Sequence, residues 1–116
     1  MSLSNYHKEE RPWGSFEQFT LNEESTVKVH SVKPNARLSL QRHKGRREYW
    51  KVLSGTGTAS INGADIPLSP GSEVMIEVGD THRLAGGPEG IEVLEIAFGT
   101  FDENDIERFE DDFGRL

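Results

Sequence analysis

A chain of 116 residues with a formal net charge of −7 and no cysteine has room for one domain and one core, and needs neither disulfides nor a structural metal to fold. The lack of thiols excludes disulfide scaffolds, thiolate zinc clusters and cysteine nucleophiles, and the acidic balance argues against a nucleic-acid partner. No apolar run reaches membrane-spanning length and the N-terminus lacks the order of a secretion signal, so the expectation is a cytoplasmic protein without a membrane partner.

Taken in chain order, residues 1–10 are polar and predict a disordered N-terminal arm, ahead of a single domain over residues 11–116. Short runs rich in Val, Ile, Thr, Phe and Tyr then recur between Gly, Pro, Asn and Asp breaks. They predict strands at Ser15–Thr20, Thr26–Lys33, Arg37–Gln41, Glu48–Leu53, Gly57–Ile61, Ala64–Leu68, Glu73–Glu77, His82–Ala85 and Ile91–Phe98. Asn62-Gly63 marks a hairpin, because a type I′ turn needs positive φ at both central residues. Only Asp102–Phe109 invites a short C-terminal helical turn, with Asp102 as its cap and Ile106 and Phe109 on one side. Many short strands at regular spacing make the fold all-β, a barrel or jelly roll.

Charge is unevenly placed. Arg37, Arg42, Lys44, Arg46 and Arg47 follow one another with no acid between them, whereas acids collect in 102–105 and 110–112. Such a strip is either a local anion site or a solvated basic loop. Strand parity puts Gln41 and His43 on one face with Arg37 and Ser39, and sends Leu38 and Leu40 the other way, toward a second layer or another subunit. On the next strand Glu48 shares its face with Trp50 and Val52. With His82 just after Gly79-Asp80-Thr81, these residues offer two imidazoles, a carboxylate and an amide oxygen. That mixed set suits a divalent ion, Zn²⁺, Mn²⁺, Fe²⁺, Co²⁺ or Ni²⁺, at Gln41, His43, Glu48 and His82. Gln41 is the weakest donor and reads equally as a hydrogen-bonding neighbour of the ligands.

The spacing Asn35-(five)-Gln41-Arg42-His43-(four)-Glu48-(six)-Gly55 resembles the first cupin motif, and Gly71-(five)-Glu77-Val78-Gly79-Asp80-Thr81-His82-(three)-Gly86 resembles the second. Arg11-Pro12-Trp13-Gly14, Leu38-Ser39-Leu40-Gln41-Arg42-His43, Arg46-Arg47-Glu48-Tyr49-Trp50 and Asp105–Arg115 are similar to the C-terminal isomerase domain of type II mannose-6-phosphate isomerases. In that family the domain is often fused behind a mannose-1-phosphate guanylyltransferase. The resemblance implies a cupin double-stranded β-helix that interconverts mannose 6-phosphate and fructose 6-phosphate in GDP-mannose biosynthesis. The chain departs from the family pattern at Asn35, where glycine is usual, and at Glu77, where proline is. It departs again at Tyr49 and at Lys44-Gly45, where histidines are common, and at Ala97, where glutamine is.

For such a reaction Glu95 is the candidate base, on a strand where Val93, Leu94 and Ile96 would raise its pKa; an exposed strand acid is the competing reading. Arg46 and Arg83 are expected to bind the substrate phosphate, Arg83 with a catalytic part, and Arg37 and Lys44 to assist. Lys28 and Lys33 are remoter candidates for the base. His7 and His30 read as ordinary polar residues, and Trp13 and Trp50 as packing. Alternatives to the isomerase are a cupin epimerase or dioxygenase and a non-catalytic sugar- or metal-binding module. The outward Leu38 and Leu40 predict a homodimer.

Overall fold

Alternating apolar and polar residues between glycine and asparagine turns give a chain of strands. The computed structural model describes residues 3–116 and contains no helix among them. The strands are β1 (His7–Arg11), β2 (Gly14–Gln18), β3 (Ser25–Val32), β4 (Leu40–Arg42), β5 (Glu48–Ile61), β6 (Ala64–Leu68), β7 (Glu73–Ile76), β8 (His82–Phe98) and β9 (Glu107–Glu110). All pairings are antiparallel. β5 and β8 are long and run through both layers of the domain. Their Glu48 and Phe98 ends pair in the order β7-β5-β8-β3, and their Ile61 and His82 ends in the order β6-β5-β8-β4-β9.

The sequence predicts a break in each long strand, at residues 54–56 and 86–90. Instead each strand bends there without ending. The bend needs glycine: a Cβ at Gly57 would lie 2.1 Å from the Ala85 carbonyl oxygen, and one at Gly55 2.2 Å from that of Gly90. The layers close over Trp50, Val52, Ala59, Leu68, Val74, Ile76, Leu84, Ile91 and Val93. Asn62 and Gly63 both adopt positive φ, 50° and 84°, as the hairpin requires. Asn35, at φ 59°, takes the left-handed geometry of the glycine it replaces.

Three expectations are corrected. Residues 1 and 2 of the predicted disordered arm lie outside the described residues, but His7–Arg11 is a strand paired with β2, and Leu3 is buried with Tyr49, Ile96 and Phe98 on the outer face of the sheet. The helical turn over Asp102–Phe109 is a β-turn followed by β9. The Asp102 carboxylate accepts the Asn104 N–H and its carbonyl accepts the Asp105 N–H, which closes a turn, and the next residues pair with β4. Leu38 does not face outward. It packs on the inner core, because residues 37–39 join β8 only through an isolated bridge and the register shifts at Leu40–Gln41.

Candidate metal centre

Cross-strand register assembles the site. On the inner face Thr26, Ala97 and Glu48 form one row across β3, β8 and β5, and Lys28, Glu95 and Trp50 form the next. His82 opens β8 opposite Gln41 of β4, and His43 follows that strand directly. Ligand atoms of His43, Glu48 and His82, all buried, lie within 4.8 Å of one another. His43 Nε2 is 3.7 Å from Glu48 Oε2, and His82 Nε2 is 3.6 Å from Glu48 Oε1.

Both imidazoles are oriented from behind. The Asp105 carbonyl lies 2.6 Å from His43 Nδ1, and the Asp80 carbonyl 2.9 Å from His82 Nδ1, so each ring donates there and turns Nε2 toward Glu48. Gln41 donates its amide to Ser39 Oγ at 3.1 Å, which leaves its oxygen free to accept. Burial lowers the pKa of His43 and brings that of His82 down to about 4, keeping both rings neutral. Burial, with Glu95 nearby, pushes Glu48 up to about 7, although Arg46 opposes the rise by donating Nε to Glu48 Oε2 at 3.0 Å. Two neutral imidazoles around a carboxylate that lacks enough positive charge are a donor set that fits a divalent cation.

Beside this set stands Glu95. Burial alone would raise its pKa, as the sequence suggests, but the net shift is downward, because His30 Nε2 sits 3.1 Å from Oε1 and Trp50 Nε1 donates to the same oxygen at 3.1 Å. His30 Nε2 makes no well-aligned hydrogen bond there, but the nearby Glu95 carboxylate raises the pKa of His30 and so favours its charged form.

The other expected residues divide. Arg46 lines the pocket, its guanidinium 3.3 Å from His43 Nε2 and stacked over Phe101. Arg83 is buried but engaged elsewhere, donating to the Leu38 carbonyl and to Glu110. Arg37 pairs with Asp112 at the surface, and Lys44 is exposed in a separate depression beside Arg42 and Asn104. Of the remoter base candidates, Lys28 lines the pocket and Lys33 does not.

Sequence reasoning missed several pocket residues, His30 and Arg108 among them. His30 was hidden because β3 inverts the usual alternation, with Val27 and Val29 exposed and Lys28 and His30 turned inward. Arg108, whose buried Nε has no hydrogen-bond partner, was hidden by the helix expected there.

The two shared long strands and the pocket between the layers define a cupin. Among solved structures the fold is matched by the capsular polysaccharide assembling protein CapF of Staphylococcus aureus, at TM-score 0.69 and 23% identity over 90% of this chain and 32% of that one. It is matched also by a Klebsiella pneumoniae protein with a double-stranded β-helix domain, at TM-score 0.65 and 22% identity over 78% of each chain. The chain belongs to the mannose-6-phosphate isomerase C-terminal family, whose model matches residues 2–111. It is 40% identical over 107 residues to the alginate biosynthesis protein AlgA of Pseudomonas aeruginosa, covering 90% of this chain and 22% of the relative. It is 37% identical over 108 residues to the mannose-1-phosphate guanylyltransferase ManC of Salmonella typhimurium, covering 91% and 22%. The chain thus spans less than a quarter of the length of these relatives.

Proposed function

We propose that this domain is a metal-dependent isomerase of a hexose phosphate, interconverting mannose 6-phosphate and fructose 6-phosphate. The observation that carries the reading is the convergence of His43, Glu48 and His82 beside an ionised, buried Glu95 in a family of isomerase domains. His43, Glu48 and His82 would hold the ion, zinc being the first choice for this donor set, with the Gln41 oxygen as fourth donor. When bound, the ion would supply a Lewis acid for the sugar oxygens.

Glu95 is the base of this reading. It takes the proton from carbon 2 of the aldose and returns it to carbon 1, while His30 and Trp50 hold its carboxylate in place. Arg108, whose buried Nε has no partner and which faces the pocket, is the phosphate anchor of this reading in place of the engaged Arg83 and Arg37 and the outlying Lys44; Arg46 also lines the pocket but is already paired with Glu48. The homodimer is carried forward on a different face from the one the sequence suggests. β3 pairs with β8 alone and exposes Val27 and Val29, an unprotected edge that a second copy would cover.

A coupled assay of mannose 6-phosphate conversion, with and without chelator, tests the reading. Turnover is expected to require metal and to be lost in His82→Ala and Glu95→Gln. Metal-loaded, folded protein that turns over no hexose phosphate would favour the alternative of a binding module without catalysis. Ala97, next to Glu48 in the inner row where glutamine is usual, gives that alternative its footing.

A further inference from the structure

Asp105 is half-buried and makes three contacts to the loop that carries His43. Its carbonyl lies 2.6 Å from His43 Nδ1. Its two carboxylate oxygens accept the backbone N–H groups of Lys44 and Gly45, each at 2.8 Å. A Cβ at Gly45 would stand 3.1 Å from Asp105 Oδ2, so a side chain there would crowd this approach.

The segment that brings Asp105 to this place has little apolar anchoring. Phe109, Phe113 and Leu116 are exposed. Besides the short β9–β4 pairing, it is tied down by ion pairs: Lys28–Glu103 at 3.1 Å, Arg42–Glu107 at 2.7 Å, Arg83–Glu110 at 2.9 Å and Arg37–Asp112 at 2.7 Å. Three of these pairs are exposed, so they hold weakly and are screened by salt, while the Arg83 side chain of the fourth is buried. His43 keeps its backing only while the segment is docked.

We propose that Asp105 is a positioning residue for the metal centre, and that metal binding and docking of residues 102–112 are one coupled equilibrium. A docked segment fixes His43 with Nε2 toward Glu48. An ion that binds the fixed ring more tightly must in return hold the segment down, because such coupling is reciprocal. The inference rests on His43 being a metal ligand, and the experiment separates the two.

Zinc affinity is measured by chelator competition, and amide exchange of residues 102–112 is followed with and without zinc. Zinc is expected to slow exchange in this segment several-fold. Asp105→Ala keeps the carbonyl on His43 but removes the carboxylate that ties it to the loop, and should weaken zinc binding about 10-fold, the low end of the range for groups that orient a ligand. Asp105→Asn, which keeps one acceptor oxygen, should recover part of that loss. Gly45→Ala, which crowds the carboxylate while leaving Asp105 in place, should weaken binding too and alter the visible spectrum of the cobalt-loaded protein. If the wild-type chain binds no zinc, the metal reading and the coupling both fall. If it binds zinc with unchanged exchange, or if Asp105→Ala binds as tightly as wild type, the coupling alone is overturned.

Discussion

Glu95 stands between opposed influences, and their balance decides its chemistry. Burial favours the neutral acid, whereas His30 and Trp50 favour the carboxylate and prevail. The same contact raises the pKa of His30 above its ordinary 6.5, so the folded state binds a proton there more tightly than the unfolded chain. The stability it contributes is complete below pH 6.5 and is lost as pH rises through the raised value. A proton NMR titration should find His30 above 6.5 in the wild type and shifted downward in Glu95→Gln; equal values would deny the pairing. His43→Ala should lose metal in elemental analysis while keeping its circular dichroism, since its neighbours Glu48 and Arg46 still satisfy each other. The residues that depart from the family pattern also sort themselves by location. Tyr49 lies on the outer face, bonded to Glu73, and Glu77 is exposed beside Arg47, so neither bears on the pocket. Ala97 lies beside the proposed ligand Glu48 in the sheet, and Lys44-Gly45 follow the proposed ligand His43 directly.

At the scale of the element, β5 and β8 are what make a site possible. Each carries a proposed ligand at one end, Glu48 and His82, and each bends between layers so that those ends meet across the pocket. Gly57 lies at the bend, with no room for a Cβ beside the Ala85 carbonyl. Gly57→Ala should therefore cost at least about 2 kcal/mol, the scale of overpacking against atoms that cannot yield. Urea denaturation would show it as a lower midpoint; a midpoint equal to wild type would mean the strands can part there freely. In β9 the local preference for a helical turn loses to a backbone ladder with β4, and that is how Arg108 comes to line the pocket.

Over the whole molecule the basic strip and the acidic C-terminal segment prove to be partners. Arg37 and Arg42 pair with Asp112 and Glu107, and Arg46 turns inward to Glu48, so the strip is largely neutralised and is not an open anion site. The outer sheet is apolar in two places. One is covered by Leu3 and Phe19, packed against Tyr49, while the other leaves Val27 and Val29 58% and 52% exposed on the outer face of the edge strand β3. Sedimentation at micromolar concentration should give a dimer, and Val29→Glu should shift it to monomer; a wild-type monomer would refute the proposal.

The sequence by itself determined the all-β class and the Asn62-Gly63 hairpin, because period-two alternation and turn chemistry are local properties, while the convergence of His43, Glu48 and His82 was legible only through the resemblance of their spacing to two known motifs. It also placed Glu48, Trp50 and Val52 together on the inner face. Only the tertiary structure decided which arginine faces the pocket, that Leu38 turns inward, that His30 belongs beside Glu95 and that Glu95 is ionised. Each of these depends on a partner from a distant strand, β9 beside β4 or β3 beside β8, and on burial. No window of residues short enough to be read along the chain contains both members of such a pair.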